Sequence, residues 1–327
     1  MAKSKVILRV DGNSNIGLGH IYRGIALAEM VRNDFDVSFV SRQDSTISPI
    51  AEAGFDYDIL PEINLIDEPE WFKENINNNA IIVCDGYEFK AEYQKKIKEK
   101  GFKLVYIDDM VEYHMYADLV INHAPGIKES DYKAESYTKF ALGLDYVLLR
   151  PAFLEAAKHK RQINKIDIAF VCFGGSDPND FTYKTVKGLI KIDTIKKINV
   201  VVGSAYQHNK LIGGHSDKIN IYKNLSEKEI FEIMKNSDLA IVPASTLLFE
   251  LFAVNIFVIS GYYVENQKGF YKYLVNNKMI HGIGNFNYYA FNELKDELKP
   301  FLSHERRIND IIDGKQKNRL LKLLKYI

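Results

Sequence analysis

A histidine and an arginine near the start of the chain lie in a glycine-rich stretch that follows a short apolar run. The stretch reads Ile16-Gly17-Leu18-Gly19-His20-Ile21-Tyr22-Arg23. It predicts a turn between a strand and a helix, the place where open α/β sheets bind ligands. His20 either caps this turn or exchanges protons, since an imidazole titrates near neutrality. Glycines let a ligand approach the backbone closely, so we favour a His20 that faces a ligand-binding cleft.

This stretch is not a dinucleotide-binding fingerprint, because Tyr22 occupies the third glycine position of G-x-G-x-x-G. Polar residues at the end of the preceding strand and two glycines are still predicted to line a binding site: Arg9, Asp11, Gly17 and Gly19. Tyr87 follows another apolar run, residues 80–85. It is either close enough to contact His20 or one more packed aromatic side chain.

A second glycine turn, Gly174-Gly175-Ser176, follows the apolar run at residues 167–173. Backbone N–H groups in such a turn, together with a helix start, suit the binding of a diphosphate. The next residues, Asp177-Pro178-Asn179-Asp180, are also typical of a tight turn with a helix cap. The two interpretations are compatible.

Two further helix starts carry polar residues at the same predicted sheet edge. Ser245 or Thr246 suits a helix N-cap, where free amides again favour phosphate. Glu250 lies four residues after Thr246, on the same helix face. It is either a surface residue or a ligand of a sugar diol, and its apolar neighbours favour the second role. Asn266 and Gln267 begin the following helix.

The remaining candidates for chemistry are acidic residues and cysteines. Asp108-Asp109 resembles a paired-carboxylate site, but N-capping of a short helix is the favoured interpretation, because no third ligand is suitably spaced. Cys84 and Cys172 each end an apolar run and are predicted to be buried thiols. The sequence therefore predicts no metal site and no cofactor.

Short β-branched runs alternate with amphipathic stretches throughout the chain. Strands that are continuous in apolar residues and separated by helices are typical of parallel sheets covered on both faces. The predicted strands are residues 6–11, 36–41, 80–85, 103–107, 119–122, 167–173, 198–203, 219–222, 239–243 and 256–260. The predicted helices include residues 21–33, 89–100, 183–192 and 227–236, and a final surface helix over 304–327.

The fold class that follows is α/β, with two Rossmann-like domains and a cleft between them. A length of 327 residues is ample for two domains. The boundary is predicted at a basic linker, residues 158–162. The domains would then be 1–157, which carries His20, and 163–327. The last helix of the second domain can pack against the first domain.

Composition excludes several classes of function. Lys+Arg 43 against Asp+Glu 43 gives a formal net charge of zero, whereas nucleic-acid and anionic-membrane binding need a basic excess. No apolar run approaches the ~20 residues of a membrane span, and none resembles a signal-peptide core. We therefore expect a cytoplasmic protein with no nucleic-acid partner and no membrane insertion.

Taken in order along the chain, these motifs resemble a known family. Besides those above they include Asp85-Gly86-Tyr87, residues 117–122 (ADLVIN) and Leu148-Leu149-Arg150. The chain is similar to the UDP-sugar hydrolases of pseudaminic acid biosynthesis, which have the two-domain glycosyltransferase-B fold of MurG-like proteins. The resemblance covers nearly the whole chain. In relatives the middle residue of Asp85-Gly86-Tyr87 is often histidine, and its absence here would leave room for a different sugar.

The resemblance implies roles for the candidate residues. His20 corresponds to the general base, Tyr87 to a tyrosine near it, and Asn266 to the asparagine beside the attacking water. The residues that would bind the UDP side of the substrate are Gly174, Gly175, Ser176, Ser245, Thr246, Glu250 and Gln267, and Arg150 joins the predicted substrate-binding set. The implied partner is a UDP-linked diacetamido-trideoxy sugar.

The implied reaction is attack of water on the anomeric carbon, with inversion, release of UDP and no metal. Amides that hold the diphosphate make UDP a good leaving group, so one base suffices. An inverting glycosyltransferase of the same fold is the first alternative. A non-catalytic sugar-nucleotide-binding protein is the second. The oligomeric state is not predicted.

Overall fold

The computed structural model describes residues 3–13, 15–203, 205–208, 216–301, 306–307 (backbone only) and 311–327. The chain divides into two compact units. Unit 1 comprises Met1–Leu154 and Lys315–Ile327, and unit 2 comprises Glu155–Gly314.

Unit 1 is built on a parallel sheet. Within its described residues, seven strands lie in the order β3-β2-β1-β4-β5-β6-β7. The strands are β1 (Lys5–Val10), β2 (Asp36–Ser41), β3 (Asp56–Ile59), β4 (Ile81–Asp85), β5 (Lys103–Ile107), β6 (Leu119–Asn122) and β7 (Lys139–Leu142). The helices that connect or follow them are α1 (Gly19–Val31), α2 (Ser48–Glu52), α3 (Glu68–Asn75), α4 (Ala91–Glu99) and α5 (Pro151–Ala156), the last of which spans the division between units.

Unit 2 repeats this arrangement. Its six described parallel strands lie in the order β11-β10-β9-β12-β13-β14, and a short antiparallel pair joins β8 to β15. The strands are β8 (Gln162–Ile163), β9 (Ile168–Val171), β10 (Lys197–Val202), β11 (Ile219–Lys223), β12 (Leu239–Pro243), β13 (Phe257–Tyr262), β14 (His281–Asn285) and β15 (Arg306–Arg307). The helices are α6 (Phe181–Leu189), α7 (Glu227–Lys235), α8 (Leu247–Ala253), α9 (Glu265–Asn276) and α10 (Leu294–Leu298).

The central strands explain why both sheets are parallel and covered. All five residues of β4 and all five of β12 are buried, because helices cover both faces. Each unit has its own core, which includes Phe72 and Phe102 in unit 1 and Phe173 and Phe286 in unit 2. The predicted fold class of two Rossmann-like α/β sheets is therefore confirmed.

Three strands of the two parallel sheets were not predicted, and all three are edge strands. The short pair of β8 and β15 was not predicted either. No residue of β3 is buried, only Ala141 of β7 is buried, and β14 contains two glycines and no fully buried residue. An edge strand has fewer neighbours, so its sequence lacks the continuous apolar run that reveals a central strand.

The C-terminal segment departs from the predicted helix over 304–327. The helix that the structure describes is α11 (Gln316–Leu324), and β15 lies within the same segment. Residues 302–305 and 308–310 lie outside the described residues. Helix α11 belongs to unit 1, where Gln316 Nε2 donates to Leu144 O at 3.3 Å and Lys325 pairs with Asp34 at 2.9 Å. Among the described residues, no helix is long and apolar enough to cross a membrane.

Candidate functional site

In unit 1 the candidate residues gather where the strand order reverses. Strands β1 and β4 are neighbours at the centre of the sheet, and the chain leaves them toward opposite sides. Ligands of open α/β sheets bind in the crevice at the carboxyl ends of such strands. The loop after β1 leads into α1 at Gly19, and β4 ends at Asp85. His20 and Asp85 therefore come from the two sides of this crevice.

His20 is held by Asp85. His20 Nδ1 lies 2.7 Å from Asp85 Oδ1, and the Asp85 side chain is fully buried. Arg23 Nη2 is also 3.2 Å from Nδ1. The shorter contact to an ionised carboxylate requires a proton on Nδ1, so we assign His20 the Nδ1–H tautomer. Nε2 makes no hydrogen bond to any described residue, which leaves it to accept a proton.

Arg23 links Asp85 to a second carboxylate. Its Nε and Nη2 donate to the two oxygens of Asp85 at 2.7 and 2.5 Å. Its Nη1 donates to both oxygens of Asp109 at 2.7 and 2.9 Å. This two-sided clamp fixes the orientation of Asp85 and hence that of the His20 ring.

The same contacts set the protonation states. Burial opposes ionisation of Asp85, but the charge of Arg23 and the hydrogen bonds from Arg23 and His20 outweigh it and lower the pKa of Asp85. Burial alone would lower the pKa of His20, yet the hydrogen bond to Asp85 and its charge raise that pKa above the usual value. Asp85 is thus an anion that makes His20 a stronger base.

Tyr87 lies beside His20. Their ring centroids are 5.0 Å apart in an edge-to-face arrangement, and 56% of Tyr87 is exposed. The structure therefore brings these two predicted residues together. Tyr106 Oη donates to Gly86 O at 3.2 Å and helps to fix the loop that carries Tyr87.

Asp108 does not cap a helix, so the favoured interpretation of that residue was wrong. No helix begins there, and Asp108 instead accepts hydrogen bonds from the amides of Met110 and Val111 and from Tyr132 Oη at 2.8 Å. These bonds stabilise the turn in which Val111 has a φ of 58°. The turn after Asp108 presents Asp109 to Arg23, so the two aspartates have different roles.

The predicted substrate contacts of Arg9 and Asp11 are not supported. Arg9 is fully buried and donates to both oxygens of Glu68 at 2.8 and 2.9 Å. Asp11 accepts from the Arg42 amide and Ser45 Oγ and pairs with Arg9. Both side chains are used inside the protein: Asp11 holds the loop after β2, and Arg9 holds Glu68. Sequence alone missed Glu68, because its partners lie far away along the chain.

Gly17, in the loop before α1, and Gly19, the first residue of α1, are both exposed. Gly17 has a φ of 82°, and its amide donates to Asn13 O at 2.8 Å. The left-handed conformation explains the need for glycine there. Arg150 lies elsewhere in unit 1, at the start of α5, with its guanidinium 5.0 Å from the centre of the Phe153 ring.

Unit 2 has its own reversal of strand order, between β9 and β12. The loop after β9 contains Gly174, Gly175 and Ser176, all exposed, and Gly174 has a φ of 84°. A Cβ on Gly203 would lie 2.4 Å from the Gly175 backbone, so the loops after β9 and β10 pack together through glycine. Gly175 and Ser176 are exposed, so we take their backbone amides as the anion donors of this loop.

The start of α6 is not a free anion site. Asp177 accepts hydrogen bonds from the amides of Phe181 and Thr182 at 3.0 and 2.8 Å. The predicted helix cap is therefore present, but it occupies the amides that a phosphate would need. The expected contribution of this helix start to diphosphate binding has to be withdrawn.

The other predicted nucleotide residues of unit 2 follow β12 and β13. Thr246 precedes α8 and makes no side-chain cap, and Ser245 is half-buried beside it. Glu250 is also half-buried and lies on α8, the helix that follows β12 at the reversal point. At the start of α9, Asn266 is exposed, whereas Gln267 Oε1 accepts from the Tyr263 amide at 3.1 Å.

Among the described residues, no group of three or more His, Cys, Asp or Glu side chains is arranged to hold a metal ion. Both cysteines are buried, and burial raises the pKa of Cys172 to about 11, so its thiol is unreactive at neutral pH.

Two Rossmann-like units, each with polar residues at its reversal point, define a protein of the glycosyltransferase-B fold. Solved structures of glycosyltransferases have the same fold. MurG of Acinetobacter baumannii matches with a TM-score of 0.64 and 11% identity, over 99% of this chain and 100% of that one. The calicheamicin glycosyltransferase CalG4 matches with a TM-score of 0.63 and 10% identity, over 100% and 95%. No family profile matches the chain.

Several curated proteins are similar to this chain in sequence. An uncharacterised protein of Methanocaldococcus jannaschii is 32% identical over 82% of this chain, but the match spans only 57% of that longer protein. The UDP-2,4-diacetamido-2,4,6-trideoxy-β-L-altropyranose hydrolase of Campylobacter jejuni is 29% identical, over 81% of this chain and 93% of the hydrolase. The resemblance inferred from the motifs is thereby confirmed: the chain is similar to this hydrolase and has the fold of MurG-like proteins.

Proposed function

We propose that this protein is a UDP-sugar-processing enzyme that hydrolyses a UDP-linked diacetamido-trideoxy sugar to the free sugar and UDP. The step would belong to the biosynthesis of a nonulosonic acid of the pseudaminic type. One observation carries the proposal: a histidine at the reversal point of unit 1 is oriented by a buried carboxylate through Nδ1, and its Nε2 makes no hydrogen bond to a described residue. The similarity to the Campylobacter hydrolase supports the choice of substrate.

The proposed mechanism gives each unit one task. In unit 1, His20 Nε2 accepts a proton from water as the oxygen attacks the anomeric carbon, and Asp85 stabilises the imidazolium that forms. In unit 2, the amides of Gly175 and Ser176 bind the diphosphate, and Glu250 binds the ribose hydroxyls. The bond from the anomeric carbon to the UDP oxygen breaks, UDP leaves, and the configuration inverts. Asn266 is assigned to the attacking water.

The test is to follow UDP release and the sugar product by NMR, with a panel of UDP-diacetamido-trideoxy sugars. The first product anomer should have the opposite configuration to the substrate. His20→Ala should lower kcat on the order of 10²–10⁴-fold, the usual contribution of a general base. The affinity for UDP should hardly change, because the nucleotide is assigned to unit 2. A folded variant with near-normal kcat and a lower Tm would contradict the mechanism and leave His20 a structural role.

The fold also supports a second candidate, an inverting glycosyltransferase, because the solved structures that match include CalG4. Such an enzyme would need an acceptor hydroxyl in place of water. Stoichiometric UDP release without any acceptor favours hydrolysis. Turnover only when an acceptor sugar is present would favour transfer.

A further inference from the structure

Glu88 lies in the loop after β4 and folds back over Gly86. A Cβ placed on Gly86 would lie 2.6 Å from Glu88 Oε2 and 2.9 Å from its Oε1. The resemblance implied that Gly86, where relatives often have histidine, leaves room for a different sugar. In the structure the carboxylate of Glu88 lies in the space that a side chain at position 86 would fill.

The surroundings of Glu88 belong to the crevice of unit 1. Glu88 is half-buried and follows Tyr87, whose ring centroid lies 5.0 Å from that of His20. Glu88 and Tyr87 both lie in the loop at the carboxyl end of β4, the strand beside β1 at the reversal point.

Glu88 has no ion-pair partner among the described residues. Burial raises the pKa of its carboxyl group. Arg9, a fully buried cation of the neighbouring strand β1, already holds Glu68 and Asp11. Removing a carboxylate from water without a strong partner is unfavourable, and proteins keep such groups mainly at functional sites.

We propose that Glu88 is a specificity-determining residue that accepts a hydrogen bond from the amide N–H of an acetamido group on the sugar. This rests on the proposed function, which places a sugar beside His20. A carboxylate only accepts hydrogen bonds, so it favours substituents that present a donor. Each acetamido group of the substrate named for the Campylobacter relative presents one amide N–H.

Binding measurements test the proposal without interference from turnover. The full chain with His20→Ala is prepared with Glu88 intact, with Glu88→Gln and with Glu88→Ala. Calorimetry then gives Kd for UDP, UDP-glucose and UDP-2,4-diacetamido-2,4,6-trideoxy-β-L-altropyranose. The selectivity is the ratio of Kd for UDP-glucose to Kd for the diacetamido sugar. Glu92→Ala, an exposed carboxylate on α4, is the matched control.

With Glu88→Ala we expect the selectivity to fall on the order of tenfold, as for loss of a charge-assisted hydrogen bond. Glu88→Gln keeps a carbonyl acceptor, so it should retain part of the selectivity. The Kd for UDP should stay within about twofold throughout, because the contact is to the sugar.

An unchanged selectivity in Glu88→Ala would overturn the proposal, and so would a chain with Glu88 intact that does not prefer the diacetamido sugar. If Glu88 only supported the loop, both UDP-sugars would weaken equally and the ratio would remain. Failure of the proposed function is seen separately, as absence of hydrolysis when His20 is intact.

Discussion

At the scale of single residues, Asp85 decides which nitrogen of His20 is available as a base. Asp85→Asn would place an amide where the carboxylate accepts the Nδ1 proton. The imidazole then tends to adopt the other tautomer, with its proton on Nε2. We expect kcat to fall at least ~100-fold, with little change in UDP affinity. Steady-state kinetics with calorimetry would show this split.

Two controls accompany that experiment. Asp36→Asn changes an exposed carboxylate at the start of β2 and should leave kcat unchanged. Thermal melting separates lost catalysis from lost folding, because Asp85 also holds Arg23. A folded Asp85→Asn protein with wild-type kcat would exclude the His20–Asp85 pair as the catalytic unit.

A second prediction at this scale concerns the nucleotide. If Glu250 binds the two ribose hydroxyls, Glu250→Ala should weaken UDP binding by about 2–3 kcal/mol, as for charge-assisted hydrogen bonds. Calorimetric titration with UDP measures the change, and Glu293→Ala, which removes an exposed carboxylate of the same unit, is the control. Equal affinities in the two variants would remove Glu250 from the site.

At the scale of elements, Asp177 connects the glycine loop of unit 2 to α6. Its carboxylate accepts two amides of the helix start, and its φ of 42° lies in the left-handed region. Asp177→Ala should lower the free energy of unfolding by about 1–2 kcal/mol, the usual effect of losing a cap. Asp177→Asn should cost less, because asparagine caps helices and tolerates this conformation.

Denaturant unfolding followed by circular dichroism measures both Asp177 variants. Two units need not unfold in one step. Unfolding is therefore recorded with and without UDP, and the transition that UDP shifts to higher denaturant concentration is assigned to unit 2. The variants are compared on that transition without UDP. Alanine and asparagine variants of equal stability would show that the cap contributes little.

The central strands of both sheets could be predicted from the sequence, whereas the edge strands β3, β7 and β14 could not. The continuous apolar runs of β1, β4, β9 and β12 predict central strands, and the glycines that follow β1 and β9 predict ligand loops. Edge strands and pairings such as Arg9 with Glu68 depend on neighbours distant in sequence, so no local pattern reveals them. Asp85 was recognisable as a polar residue that ends a buried strand, but only the fold brings it to His20.

At the scale of the whole molecule, we predict activity without a metal ion. The diphosphate donors proposed in unit 2 are backbone amides of Gly175 and Ser176, which need no cation to be oriented. Hydrolysis should therefore continue in excess EDTA, measured as UDP release against an untreated sample. Loss of activity that Mg²⁺ restores would contradict this and point to a cation on the diphosphate.

The pH dependence of the enzyme should follow His20. A base must be neutral to accept a proton, and Asp85 raises the pKa of His20, so the acid limb of kcat should lie above the usual histidine value of about 6.5. His123 is the other histidine near this cluster, but burial followed by the charge of Arg23 lowers its pKa to about 4. It stays neutral through this pH range and cannot produce the limb.

Stability must respond to the same proton. Because folding raises the pKa of His20, its contact with Asp85 stabilises the protein fully below the unfolded-state pKa, and this contribution is lost as pH rises through the folded-state pKa. Asp85→Asn should move the acid limb of kcat to lower pH and remove this part of the pH dependence of Tm. Wild-type and variant profiles of kcat and Tm, measured from pH ~5 to ~9 in matched buffers, test both effects. A limb that keeps its position in the variant would show that another group titrates in the reaction.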